Sequence, residues 1–214
     1  MKQILYSAMI LSLAFAISCD KNNDDKPVEP KTSLGKASFA TDSTWKIPAA
    51  NGALAQEWSD AVQTDSCSHK TTFDGGDYMT SSYNVDCRSN PNYKGDLFSW
   101  RAVAEVEGIC PDGWRVPTTE DFQNLDKLLG GTGDNHYDGT TTQVDKYINT
   151  WGGAYGGRCY SDGSLTNQGL RGVYWSQSES SAANGFRMDF TTDGIVTPQF
   201  WNPKDSGFSL RCVQ

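Results

Sequence analysis

Histidine is nearly absent from this chain of 214 residues, with His69 and His136 as its two examples. No C-x-x-C pair accompanies them, so zinc lacks its usual ligand sets and no metal ligand is assigned. A G-x-S-x-G elbow is also missing. Neither histidine neighbours an obvious nucleophile or carboxylate in sequence, which argues against hydrolysis of the Ser–His kind. Basic charge is scarce as well: 18 Lys and Arg face 26 Asp and Glu, a net charge of −8. Sheathing of DNA or RNA by counterion release needs the opposite balance, so nucleic acid is excluded as a partner. Acidity otherwise signals only solubility. The chain has no internal repeat, and its one long apolar run lies at the extreme N-terminus.

That run begins after Lys2 and extends from Ile4 to Ile17, broken only by Tyr6, Ser7 and Ser12. It is too short for a comfortable membrane span and has the form of a signal peptide. It ends Ala16-Ile17-Ser18-Cys19, which resembles the lipobox of bacterial lipoproteins, where the cysteine is acylated and becomes the first mature residue. The plainer reading is a secreted protein with a chance cysteine, but a cysteine directly after a small residue favours the lipid. From Asp20 to Lys31 there is almost no apolar side chain and there are two prolines, so burial cannot repay ordering and a flexible tether is expected. Its acidic cluster looks like the surface-export signals of Bacteroidetes lipoproteins. The expected organisation is a signal peptide over 1–18, a lipidated tether over 19–38 and one domain over 39–214, displayed on the outer membrane.

What the chain does hold is aromatic: seven Trp, nine Tyr and nine Phe, with 21 Gly. Such a chain suits a turn-rich fold with an aromatic core. It is organised around Cys110-Pro111-Asp112-Gly113-Trp114-Arg115-Val116-Pro117-Thr118-Thr119-Glu120-Asp121-Phe122. Pro-Asp-Gly is a turn by mechanism, and Thr118 with Asp121 three residues on is a capping-box pattern. Trp114 and Trp175 are assigned to the core. If Cys19 carries lipid, Cys67, Cys87, Cys110, Cys159 and Cys212 remain in an oxidising compartment, where pairing is the default. Five is odd. The preferred bridge is Cys110–Cys212, closing a loop of about a hundred residues worth ~4–5 kcal/mol by chain entropy; Cys67–Cys87 is second, leaving Cys159.

Ser43 to Pro48 reads as a short strand, while Ala55 to Val62 fits strand or helix equally. Residues 64–95 read as polar surface loop, and Leu97 to Val103 as a buried segment. Phe122, Leu125, Leu128 and Leu129 recur at helical spacing until Gly130-Gly131. A second helix is expected from about Thr142 to Trp151, with Val144, Tyr147, Ile148 and Trp151 on one face. Strands follow over 172–176, 186–190 and 207–213, and in the last Phe208, Leu210 and Cys212 share a face. The expected class is α+β, with two helices and short, mostly antiparallel strands.

Three stretches together, Phe98-Ser99-Trp100-Arg101-Ala102-Val103 leading to Cys110–Thr118, Tyr174-Trp175-Ser176-Gln177-Ser178-Glu179, and Gly207-Phe208-Ser209-Leu210-Arg211-Cys212-Val213, resemble the Fibrobacter succinogenes major paralogous domain of Bacteroidetes surface lipoproteins. The resemblance covers roughly residue 40 to the C-terminus. It implies a C-type-lectin-like or formylglycine-generating-enzyme-like fold with its ends close together and long loops on one face. It also implies paired cysteines at Cys110 and Cys212.

The calcium-dependent sugar site of lectins is not recognisable, because Glu29-Pro30 lies in the tether and Trp201-Asn202 runs into Pro203. Asp134 and Asp138, in Gly133–Gly139, carry hard oxygen ligands without EF-hand spacing. Trp201, Tyr155 and Tyr160 lie in or near Gly-rich segments where aromatic faces can stack on sugar rings. Trp201 is the best placed for exposure, and Trp151 belongs to a helical stripe. The expected function is non-enzymatic binding of a glycan or protein, without a cofactor. The alternatives are an assembly subunit of a surface appendage and, third, an enzyme using Cys159.

Overall fold

Around Cys110 the chain folds into a corner tied at three points. Cys110 and Cys212 form a disulfide with Cα atoms 6.0 Å apart, closing a separation of 102 residues. Two residues past the Pro-Asp-Gly turn, Arg115 and Val213 exchange backbone hydrogen bonds of 2.9 Å. Arg115 then grips Asp121 with both guanidinium nitrogens, at 2.6 and 2.7 Å. The Asp121 carboxylate also accepts from the Thr118 N–H at 2.8 Å, and Thr118 Oγ1 accepts from the Asp121 N–H, completing the capping box. Burial alone would raise the Asp121 carboxyl, but Arg115 and Thr118 hold it below the usual 3.8.

This computed structural model describes residues 37–64, 95–105, 107–134, 137, 139–160 and 164–214, all within the unit Thr32–Gln214. The described elements begin with β1 (Ala37–Phe39), β2 (Thr44–Ile47), β3 (Gln56–Thr64) and β4 (Leu97–Phe98). Three helices follow, α1 (Trp100–Glu105), α2 (Thr119–Leu128) and α3 (Thr141–Asn149). The hairpin β5 (Arg158–Cys159) and β6 (Leu165–Thr166) leads to β7 (Arg171–Glu179), β8 (Asn184–Thr191) and β9 (Val196–Pro203), and the chain closes with β10 (Phe208–Ser209) and β11 (Arg211–Val213). One sheet gathers β1, β2 and β11 around β3; the other runs β4-β10-β7-β8-β9. All pairings are antiparallel except β10 with β7. The class is therefore α+β.

Two helices were expected, and a third, α1, is present. Its six residues are too few to show a period, and it forms because Ser99 Oγ caps the Ala102 N–H at 3.3 Å while Trp100, Ala102 and Val103 are buried. The ambiguous segment at Ala55 is strand β3. The second expected helix starts one residue earlier and ends before Trp151, whose ring is nonetheless fully buried. β9 was not anticipated.

Two apolar clusters flank the last residues of the chain. In the first, Trp58, Phe122, Tyr147, Trp151, Tyr174 and Phe190 are buried. Their rings meet edge-on or stacked at centroid distances from 4.8 to 6.4 Å, each contact adding roughly 0.5–1.5 kcal/mol beyond its area. The second contains Phe98, Trp175, Phe208, Leu210 and Cys212, so the shared face expected for the last three holds. Trp175 is core, with Nε1 donating to the Phe98 carbonyl at 2.8 Å. Trp114 is not: it is half-buried at the margin, edge-on to Phe39 at 5.5 Å, because the turn before it leaves only one side of the indole covered. Cys19, Cys67, Cys87, His69, His136 and Asp138 lie outside the described residues.

Candidate functional site

The loop after α2 is placed by a buried carboxylate. Asp126 accepts hydrogen bonds from Gln143 Nε2 and the Gly133 N–H at 2.8 Å and from the Tyr147 hydroxyl at 2.9 Å. One side chain thus joins α2, α3 and the start of the 133–139 loop. Burial first, and Asp126 beside it second, push the Tyr147 hydroxyl well above its ordinary value, so it stays a donor. At the loop's other end a β-carbon on Gly139 would meet the Gly194 carbonyl and Val196, so only glycine lets the loop approach the β8–β9 turn this closely.

Between these anchors the loop carries Tyr137 to the edge strand β9. The Tyr137 and Phe200 rings meet edge-on at 5.2 Å, and Phe200 and Trp201 lie nearly parallel at 5.6 Å and 17°. Tyr137 is 56% exposed and Trp201 49%. Behind them Arg187 sits 5.0 Å from the Phe200 centroid and donates Nε to Asn202 Oδ1 at 2.7 Å. Gln123 Nε2 ties α2 to Gln199 at 3.1 Å. Three aromatic rings, two of them open to solvent, are thus held from beneath by polar contacts.

The residues expected from sequence fall in different places. Trp201 is exposed, and the loop of Asp134 brings Tyr137 to its neighbour Phe200. Asp134 is exposed, its own N–H donating to Thr132 Oγ1 at 3.2 Å. Tyr155 is half-buried against Phe190 at 5.5 Å and is core packing rather than a platform. Tyr160 is 41% exposed but lies under Arg158, whose guanidinium carbon is 4.5 Å from the ring centroid and which donates to its hydroxyl. Cys159 is fully buried in β5, with its Sγ 3.6 Å from the Tyr160 carbonyl, whereas reactive thiols are partly exposed. Tyr137 and Phe200 were missed. Phe200 stands next to Trp201 in sequence, and that doublet was the available signal. Among the described residues, no group of three or more His, Cys, Asp or Glu is placed to hold a metal ion.

No curated protein and no solved structure matches the chain. The model of one family, the Fibrobacter succinogenes major domain, matches residues 46–214. The chain belongs to that family.

Proposed function

We propose that this member of the Fibrobacter succinogenes major domain family is an exported outer-membrane lipoprotein, anchored at Cys19 and displayed at the cell surface, which binds glycans without chemistry on them. The pattern from Lys2 to Cys19 and the polar tether after it support the address. A C-type-lectin-like architecture is the finer reading of the α+β fold, supported by β1 and β11 flanking β3 in one sheet. The observation that carries the binding role is Trp201, half-exposed on an edge strand and lying parallel to Phe200. A flat, rigid aromatic face is what the apolar face of a sugar ring stacks on.

The second reading is an assembly subunit that adds strands at an open sheet edge. β9 is such an edge, but Pro198 and Pro203 within it have no N–H to offer a partner strand, a common way of blunting edges. That favours the binding module. A glycan array with the purified domain, with and without EDTA, tests it: at least one glycan class is bound in both buffers and lost in Trp201→Ala. Binding to no glycan, or binding unchanged in Trp201→Ala, contradicts the reading.

A further inference from the structure

Arg211 is 0% exposed, although it sits between Leu210 and Cys212 in the last strand. Its guanidinium is sandwiched by two indoles, with its central carbon 4.5 Å from the Trp45 ring and 4.4 Å from that of Trp151. Nε donates to the Ser59 carbonyl at 2.7 Å and Nη1 to the Trp151 carbonyl. Nη2 is shielded from solvent and has no acceptor. Among the described residues Arg211 makes no ion pair. After burial itself, the Tyr174 hydroxyl and then Asp60 act on it most, and the Asp60 carboxylate is taken up by the Thr41 hydroxyl at 2.6 Å and the Ala61 N–H at 2.8 Å. At neutral pH a buried guanidinium keeps its proton, so an unneutralised one is costly unless something completes it.

Arg211 also lines a cavity of about 450 Å³, walled by Trp45, Thr41, Asp60, Gln63 and Tyr174, within the range of small-molecule sites. One wall depends on glycine: a β-carbon at Gly152, where φ is +74°, would collide with the Trp45 indole. Trp45 itself is half-exposed on β2, which pairs only with β3. Of the two indoles on Arg211, that of Trp45 is the one that reaches the surface.

We propose that this cavity, separate from the β9 surface, binds a carboxylate-bearing sugar unit, with the carboxylate on Arg211 Nη2 and the ring hydroxyls on Asp60, Thr41 and Gln63. A carboxylate fits a planar guanidinium edge. A phosphate dianion fits less well, because Asp60 in the same wall repels the second charge more strongly. The hydroxyl, amide and carboxylate groups around the wall are those that read sugar hydroxyls. Since Nη2 is shielded, the ligand displaces the Trp45 indole as it enters.

The test is titration of the isotopically labelled domain with sodium glucuronate, D-glucose and inorganic phosphate, followed at the Trp45 indole and Arg211 side-chain resonances. Glucuronate is expected to shift both saturably, with glucose and phosphate at least tenfold weaker. Trp201→Ala retains this response, which separates the site from the β9 surface, and Thr41→Val weakens it severalfold without touching the core. Arg211→Lys abolishes it. No saturable shift with glucuronate in the wild-type protein, or equal shifts with phosphate, overturns the proposal and leaves Arg211 a purely structural residue.

Discussion

Among the described residues two arginines are buried, one in each large sheet, and they are treated differently. Arg187, 4% exposed on β8, pairs with Asp189, which also receives Arg171, and its Nε is met by Asn202. Arg211, on β11, has two backbone carbonyls, two indole faces and no carboxylate partner. Burial lowers both, and Arg211 falls to about 10. A cation whose folded value is lowered is a net cost below that value, relieved only as the pH rises through it. In the β8 region the charge is closed within the fold; in the β11 region hydrogen-bonding capacity is left over beside a cavity.

The largest effect should come from opening the closed pair. Asp189→Ala leaves Arg187 buried without a counter-charge and should cost about 3–5 kcal/mol in urea unfolding. Arg211→Met leaves no orphaned carboxylate. It should cost at most ~2 kcal/mol, because relief of charge burial offsets the bereft carbonyls of Ser59 and Trp151. Equal losses in the two variants would erase the distinction between the regions.

Removing the staple beside Arg211 comes next. Cys110→Ser with Cys212→Ser should lower stability by roughly 2–5 kcal/mol and, by loosening β11, weaken glucuronate binding while sparing glycan binding at Trp201. Smaller again is the cap. Asp121→Asn should lose about 1 kcal/mol at neutral pH. The lowered carboxyl stabilises the fold above 3.8 and loses that contribution as the pH falls through its folded value. The fall in urea midpoint between pH 6 and pH 3 should therefore be shallower in the variant than in the wild type.

How far these regions could be read from sequence follows from what kind of signal each carries. Thr118 and Asp121 form a cap by spacing alone, and Gly130 ends α2 because its φ of +101° suits glycine. β7 was visible through Val173-Tyr174-Trp175 after a glycine, and β8 through the alternation of Phe186, Met188 and Phe190 with polar residues. α1 is shorter than two helical turns, and β9 was hidden by its two prolines, which read as loop until an edge position excuses them. Arg211 defeated the alternation argument most completely. Facing away from Phe208, Leu210 and Cys212, it should point to solvent, but the turn after α3 delivers Trp151 and β2 delivers Trp45 to that other face. Nothing local to the strand announces a second covering layer. The Tyr137–Phe200 contact is likewise a product of the loop anchored at Asp126, between residues far apart in sequence.

Urea unfolding of the wild-type domain at rising glucuronate, with sodium chloride matching ionic strength, tests the difference between the two buried arginines most directly. A ligand that binds only the folded form raises stability by about 2.7 kcal/mol at a hundredfold excess over its dissociation constant. The account predicts a midpoint that climbs with glucuronate in the wild type and Asp121→Asn but stays fixed in Arg211→Met. A wild-type midpoint that moves no more with glucuronate than with glucose would contradict it.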